Sequence, residues 1–89
     1  MAYIPYFQVY STGVDGDLVN EYSDGNYVYL PEGAAVRFRD RPKLGYESYN
    51  YTAADFAGRD LNLSKDLLND NKIYMPGYPI TVTGYFQSK

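Results

Sequence analysis

The hexapeptide Asn26-Tyr27-Val28-Tyr29-Leu30-Pro31 is written a second time, in altered form, as Asn71-Lys72-Ile73-Tyr74-Met75-Pro76, 45 residues further on. A chain that reuses a segment at a fixed offset is constrained to build one local unit twice. The same offset sets Tyr6 on Tyr51, Gly13 on Gly58, Asp15 on Asp60 and Leu18 on Leu63. Past the prolines a slip of one residue brings Gly33 onto Gly77, Val36 onto Ile80 and Phe38 onto Val82. The slip keeps the alternation: Val36-Arg37-Phe38-Arg39 and Ile80-Thr81-Val82-Thr83 both read apolar, polar, apolar, polar. Side chains on a strand alternate between its two faces, so each segment predicts a half-buried β-strand.

The repeat predicts a single β domain over residues 1–89, with copies over about 3–40 and 48–86. In the first copy, strands are expected over Tyr3 to Tyr10, Leu18 to Tyr22, Tyr27 to Leu30 and Ala35 to Arg39, with a turn at Gly13 to Gly16. In the second they are expected over Glu47 to Thr52, Asp60 to Leu63, Lys72 to Met75 and Ile80 to Phe86, with a turn at Phe56 to Gly58. Pro31 and Pro76 close their strands, because proline cannot donate to a ladder. Ser64 is an N-cap for a single helical turn reaching Asn69. The fold class that follows is an all-β small sandwich of two Greek-key-like motifs.

A chain of 89 residues without cysteine must stabilise one core by packing alone. Its 12 tyrosines and 4 phenylalanines supply the bulk for that core. Histidine is absent too, which removes the commonest general base and neutral metal ligand. Carboxylate pairs such as Asp55 with Asp60, or Asp66 with Asp70, carry no mark that separates them from surface charge. The chain is expected not to be an enzyme.

A net charge of −3 and a pI near 4.6 oppose electrostatic binding to nucleic acid. Arg37, Arg39 and Arg41 do cluster, but on a strand they form a solvated row opposite Val36 and Phe38. No apolar run reaches the length of a membrane span or a signal-peptide core, so the expectation is a soluble, cytoplasmic chain without membrane or nucleic-acid partners.

Tyr51, four intervening residues, Phe56, one residue and Gly58 are similar to the aromatic-hairpin signature of the βγ-crystallin superfamily. In that signature a ring packs over a folded hairpin whose glycine takes a backbone conformation that other residues avoid. Leu63, the segment Asn69 to Ile73, and Pro76-Gly77 before Ile80-Thr81-Val82 resemble the remainder of such a motif. The resemblance implies two Greek-key motifs and a structural or calcium-stabilised role. It implies calcium as the cofactor, held by oxygen ligands from two loops, with Asp24, Asn26, Asn69, Asp70 and Asn71 in the matching neighbourhoods. The serine pair that completes such sites is missing from both: Tyr29 and Leu30, or Tyr74 and Met75, stand near those positions. The alternative for these residues is Asx-type turns that satisfy their own backbone.

A second reading makes the chain a binding or inhibitory protein, presenting a tyrosine-rich, acidic surface to a protein partner through Tyr22, Tyr27, Tyr46 and Tyr49. Either reading is compatible with a monomer or a weak homodimer formed through exposed strand edges.

Overall fold

The computed structural model describes residues 6–11, 15–22, 27–70 and 72–89, and of Ser11, Ser64, Asp66, Asp70 and Lys72 the backbone. Among the described residues seven strands and one short helix follow each other: β1 (Tyr6–Ser11), β2 (Gly16–Asn20), β3 (Tyr27–Tyr29), β4 (Ala35–Pro42), β5 (Tyr46–Asp55), α1 (Ser64–Asp70), β6 (Lys72–Tyr74) and β7 (Ile80–Ser88). They make two sheets, one of four strands in the order β3-β1-β7-β5 and one of three in the order β2-β4-β6. The all-β sandwich expected from the alternation is what the chain forms.

Period-2 patterning decides which residues enter the space between the sheets. Phe7 and Val9 of β1, Tyr51 and Ala53 of β5, and Ile80 and Val82 of β7 are buried from the four-stranded side. Leu18 of β2, Val36 and Phe38 of β4 and Ile73 of β6 meet them from the other side. Leu67, fully buried on α1, closes the core where the helix packs on β5 and β6. The row Arg37, Arg39, Arg41 lies on the solvent side of β4, as the alternation requires. Arg41 forms a two-pronged contact with Asp17 of β2, Nε to Oδ1 at 3.0 Å and the terminal nitrogen to Oδ2 at 2.7 Å.

The loop Lys43 to Gly45 carries the chain from one sheet to the other, and a polar lock holds that crossing. Tyr51 donates its hydroxyl hydrogen to Asp40 Oδ2, and Ser48 Oγ donates to the same oxygen at 2.6 Å. The Tyr51 ring packs edge-on against Phe38, centroids 5.4 Å apart. Burial first, and then the bond to Asp40, push the Tyr51 hydroxyl up to about 12.

The pairing pattern of the strands does not follow the 45-residue repeat. β5 pairs antiparallel with β7, whereas their counterparts β1 and β4 lie in different sheets. β1 instead runs parallel to β7, with Phe7 opposite Ile80 and Val9 opposite Val82. Facing shows the same inequality. Tyr6 sits on the outer face of its sheet, while Tyr51, 45 residues on, is 3% exposed and points into the core.

The strand expected over Asp60 to Leu63 reduces to one bridge between Ala54 and Asp60. Asp60 Oδ1 accepts the Asn62 backbone N–H at 2.8 Å, and Asn62 takes a left-handed φ of 59°, so the chain turns rather than extends. The turn at Phe56 to Gly58 does form. Asp55 Oδ1 accepts the N–H groups of Ala57 and Arg59, and Gly58 has a φ of 89°, which a residue without Cβ adopts freely. Tyr51 does not cover this turn. Its ring is engaged with Phe38, Phe56 is 80% exposed, and apart from the chain neighbours of Gly58 no atom of the described residues lies within 4 Å of where its Cβ would stand.

Candidate docking face

The outer surface of the four-stranded sheet is built by the residues that alternate with the core. On β1 these are Tyr6, Gln8 and Tyr10; on β3, Tyr27 and Tyr29; on β7, Thr81, Thr83 and Tyr85; on β5, Asn50, Thr52 and Ala54. Pairing register arranges them in rows across the strands. Tyr29 stands beside Tyr6; Tyr27, Gln8, Thr81 and Ala54 form the next row; Tyr10, Thr83 and Thr52 the third; Tyr85 and Asn50 the fourth. No side chain in these four rows is charged, and the next row beyond Tyr85 sets Gln87 opposite the exposed carboxylate of Glu47. Other formal charge lies elsewhere, including Arg37, Arg39, Arg41 and Asp17 on the opposite face.

The rings gather at the two ends of this face. At one end Tyr6, Tyr27 and Tyr29 contact one another edge-to-face, with centroids 5.6 to 6.0 Å apart. Such edge-to-face pairs suit the ring quadrupole and hold the three side chains in fixed mutual orientation. The same end continues into an open apolar cleft of about 450 Å³ lined by Tyr6, Phe56, Tyr78 and Pro79. The register explains the grouping: Phe7 pairs with Ile80 and Ile80 with Asp55, so the residues one step outward, Tyr6, Pro79 and Phe56, fall side by side. At the other end a bulge at Tyr49, between the pairs of Ser48 and Asn50, turns that ring toward Tyr85 at 6.3 Å. The Tyr85 hydroxyl lies 3.5 Å from Thr52 Oγ1.

The tyrosines expected to contact a partner do not form one surface. Tyr27 belongs to the first ring cluster and Tyr49 to the second. Tyr22 follows β2 in the other sheet, its hydroxyl donating to the Ala35 carbonyl at 2.7 Å. Tyr46 begins β5, with the Lys43 ammonium 6.0 Å from its ring centroid. Tyr6, Tyr29, Tyr10 and Tyr85 join this face without having been expected there as a set. Their signal is the alternation in Tyr6-Phe7-Gln8-Val9-Tyr10 and Thr81-Val82-Thr83-Gly84-Tyr85, once both strands are placed side by side. Of the acidic residues expected around the rings, Glu47 stands on this face beyond Tyr85, opposite Gln87.

Of the residues expected to hold calcium, Asp24, Asn26 and Asn71 lie outside the described residues, as does the side chain of Asp70. Asn69 is exposed near the end of α1. Among the described residues no three His, Cys, Asp or Glu side chains gather as a metal site would require, and no helix is long and apolar enough to cross a membrane.

No protein-family model, no curated protein and no solved structure matches this chain.

Proposed function

We propose that the protein is a non-enzymatic binding module that works through the outer face of its four-stranded sheet. The observation that carries this reading is the concentration of rings on a face whose four rows from Tyr29 to Tyr85 carry no charge. Tyr27 is 51% and Tyr29 60% exposed, and beside them Phe56 and Tyr78 line a cleft. Contiguous exposed apolar surface of this kind marks interaction sites in proteins that otherwise keep such groups inside. Tyrosine suits the role because it offers large area and a hydrogen-bonding tip while immobilising few torsions. The sandwich supplies rigidity: Tyr6, Tyr27, Tyr29 and Tyr85 leave strands whose alternate residues face the core.

The test is a charge placed in the middle of the face. Thr83→Arg keeps the strand pairing and adds a cation between the two ring groups. Immobilised glycans, peptides and the protein itself form the capture panel. Thr83→Arg is expected to abolish capture with little change in Tm, whereas Arg39→Glu on the opposite face leaves capture intact. Capture that survives Thr83→Arg and falls with Arg39→Glu, or a panel in which nothing is captured, overturns the reading.

A further inference from the structure

We propose that the ligand of this face is an extended, uncharged oligosaccharide chain. The inference rests on the docking reading above and adds its chemistry, which three features of the face select together.

Charge comes first. The four rows from Tyr29 to Tyr85 contain neither cation nor anion, although the chain carries 8 Lys and Arg and 11 Asp and Glu, and the row beyond them adds one carboxylate, Glu47 opposite Gln87. A phosphate backbone, an anionic membrane surface or an acidic peptide would meet no cation in these rows and would be repelled by Glu47, and a basic peptide would find one carboxylate at the rim and none among the rings. Complementarity therefore favours a partner that is itself neutral.

The second feature is the donor and acceptor set between the ring groups. Gln8 offers an amide, Thr81, Thr83 and Thr52 offer hydroxyls, and Asn50 a second amide. Each of these groups both donates and accepts, which matches sugar hydroxyls, themselves donors and acceptors at once. A purely aliphatic ligand would strip water from these five side chains and leave them unpaired, at a free-energy cost. Rings at both ends supply the other half of the recognition. The C–H faces of a pyranose carry slight positive charge and rest on the electron-rich face of a tyrosine ring.

Length is the third. Tyr6 stands beside residue 79 and Tyr85 lies six residues further along β7. At ~3.3 Å per residue the two ring groups are about 20 Å apart. A monosaccharide reaches one group only. An oligomer reaches both, with its middle units over Gln8, Thr81 and Thr83.

The experiment is calorimetric titration of the intact protein with cellohexaose and mannohexaose, beside cellobiose and the anionic oligogalacturonate. Sedimentation runs without sugar report self-association. The expected result is binding of at least one neutral hexasaccharide, weakened at least tenfold by Tyr6→Ala and, separately, by Tyr85→Ala, with Arg39→Ala binding as the parent does. Cellobiose is expected to bind at least tenfold less tightly than cellohexaose. Circular dichroism melts of each variant verify that it is folded, and Tyr29→Ser serves if Tyr6→Ala is not.

Absence of binding by both neutral hexasaccharides at millimolar concentration overturns the proposal, as does preference for the anionic chain or equal affinity for cellobiose. Peptide capture or self-association that is lost in Tyr6→Ala overturns the glycan assignment and leaves the docking face standing. Binding sensitive only to Arg39→Ala overturns both.

Discussion

Tyr51 of β5 donates its hydroxyl hydrogen to Asp40 of β4, so one hydrogen bond joins the two sheets at the point where the chain crosses between them. Asp40 Oδ2 also accepts from Ser48, while Oδ1 is buried with no hydrogen-bond partner among the described residues. Tyr51→Phe keeps the ring against Phe38 and removes a donor from a carboxylate already short of partners. The expected loss is about 1 to 3 kcal/mol in urea denaturation, at unchanged m-value. An unaltered midpoint would show the hydroxyl to be dispensable.

The same hydroxyl gives the fold a defined alkaline limit. Its value is raised from 10.0 to about 12, chiefly by burial, so between those values the folded protein keeps a proton that the unfolded chain gives up. This contribution to stability is complete below pH 10 and is lost as pH climbs toward 12. The difference in unfolding free energy between the parent protein and Tyr51→Phe should therefore shrink over that window. A difference that stays constant from neutral pH to the alkaline end would contradict the assignment.

Leu67 is fully buried although α1 is only 7 residues long. So short a helix has little stability of its own and is held by the side chain it buries. Leu67→Ala is expected to cost about 2 to 5 kcal/mol. Hydrogen exchange should show backbone protection lost first in α1. If Tm falls by no more than a degree or two, the helix is not part of the core.

Gly84 of β7 lies tight against Leu18 of β2 across the two sheets. A Cβ there would stand 2.9 Å from Leu18 Cδ2 and 3.0 Å from Leu18 Cγ. Gly84→Ala is expected to destabilise by about 1 to 3 kcal/mol through overpacking. In a Leu18→Val background the same change should cost less, and the difference in a double-mutant cycle measures the contact. Additive effects would place the strain elsewhere.

Arg41 and Asp17 form a geometrically good pair, yet both side chains are largely in water. Exposed pairs give back in side-chain ordering most of what they gain in attraction. Arg41→Ala should leave the melting temperature within the scatter of repeat scans, in low and high salt alike. A salt-dependent drop would assign this row a structural weight that its exposure does not suggest.

Much of the strand layout can be read from alternation and punctuation. Val36-Arg37-Phe38-Arg39 places β4 with its arginines outward, Ile80-Thr81-Val82-Thr83 places β7, and Pro31 follows β3 after Leu30. Ser64 starts the helix where its capping chemistry indicates. Local signals fail where two distant segments compete for one partner. Tyr6 and Tyr51 look equivalent at an offset of 45 residues, but β1 joins the parallel edge of β7 and presents Tyr6 to solvent. Asp60 to Leu63 looks like a strand, yet the Asp60 carboxylate captures the Asn62 N–H and ends extension after one bridge. The ring-bearing face is illegible for a related reason. Its rows contain residues from four strands, and only the pairing register shows that Gln8 lies between Tyr27 and Thr81.

β7 is the interior strand on which both β1 and β5 depend, and it is translated after each of them. During synthesis, residues 6–11 and 46–55 wait on the ribosome with exposed edges until residues 80–88 emerge and zip them into one sheet. The protein's vulnerability to misassembly is thus concentrated in the interval before β7 has emerged, and a stalled nascent chain ending before Ile80 is the species most in need of a chaperone.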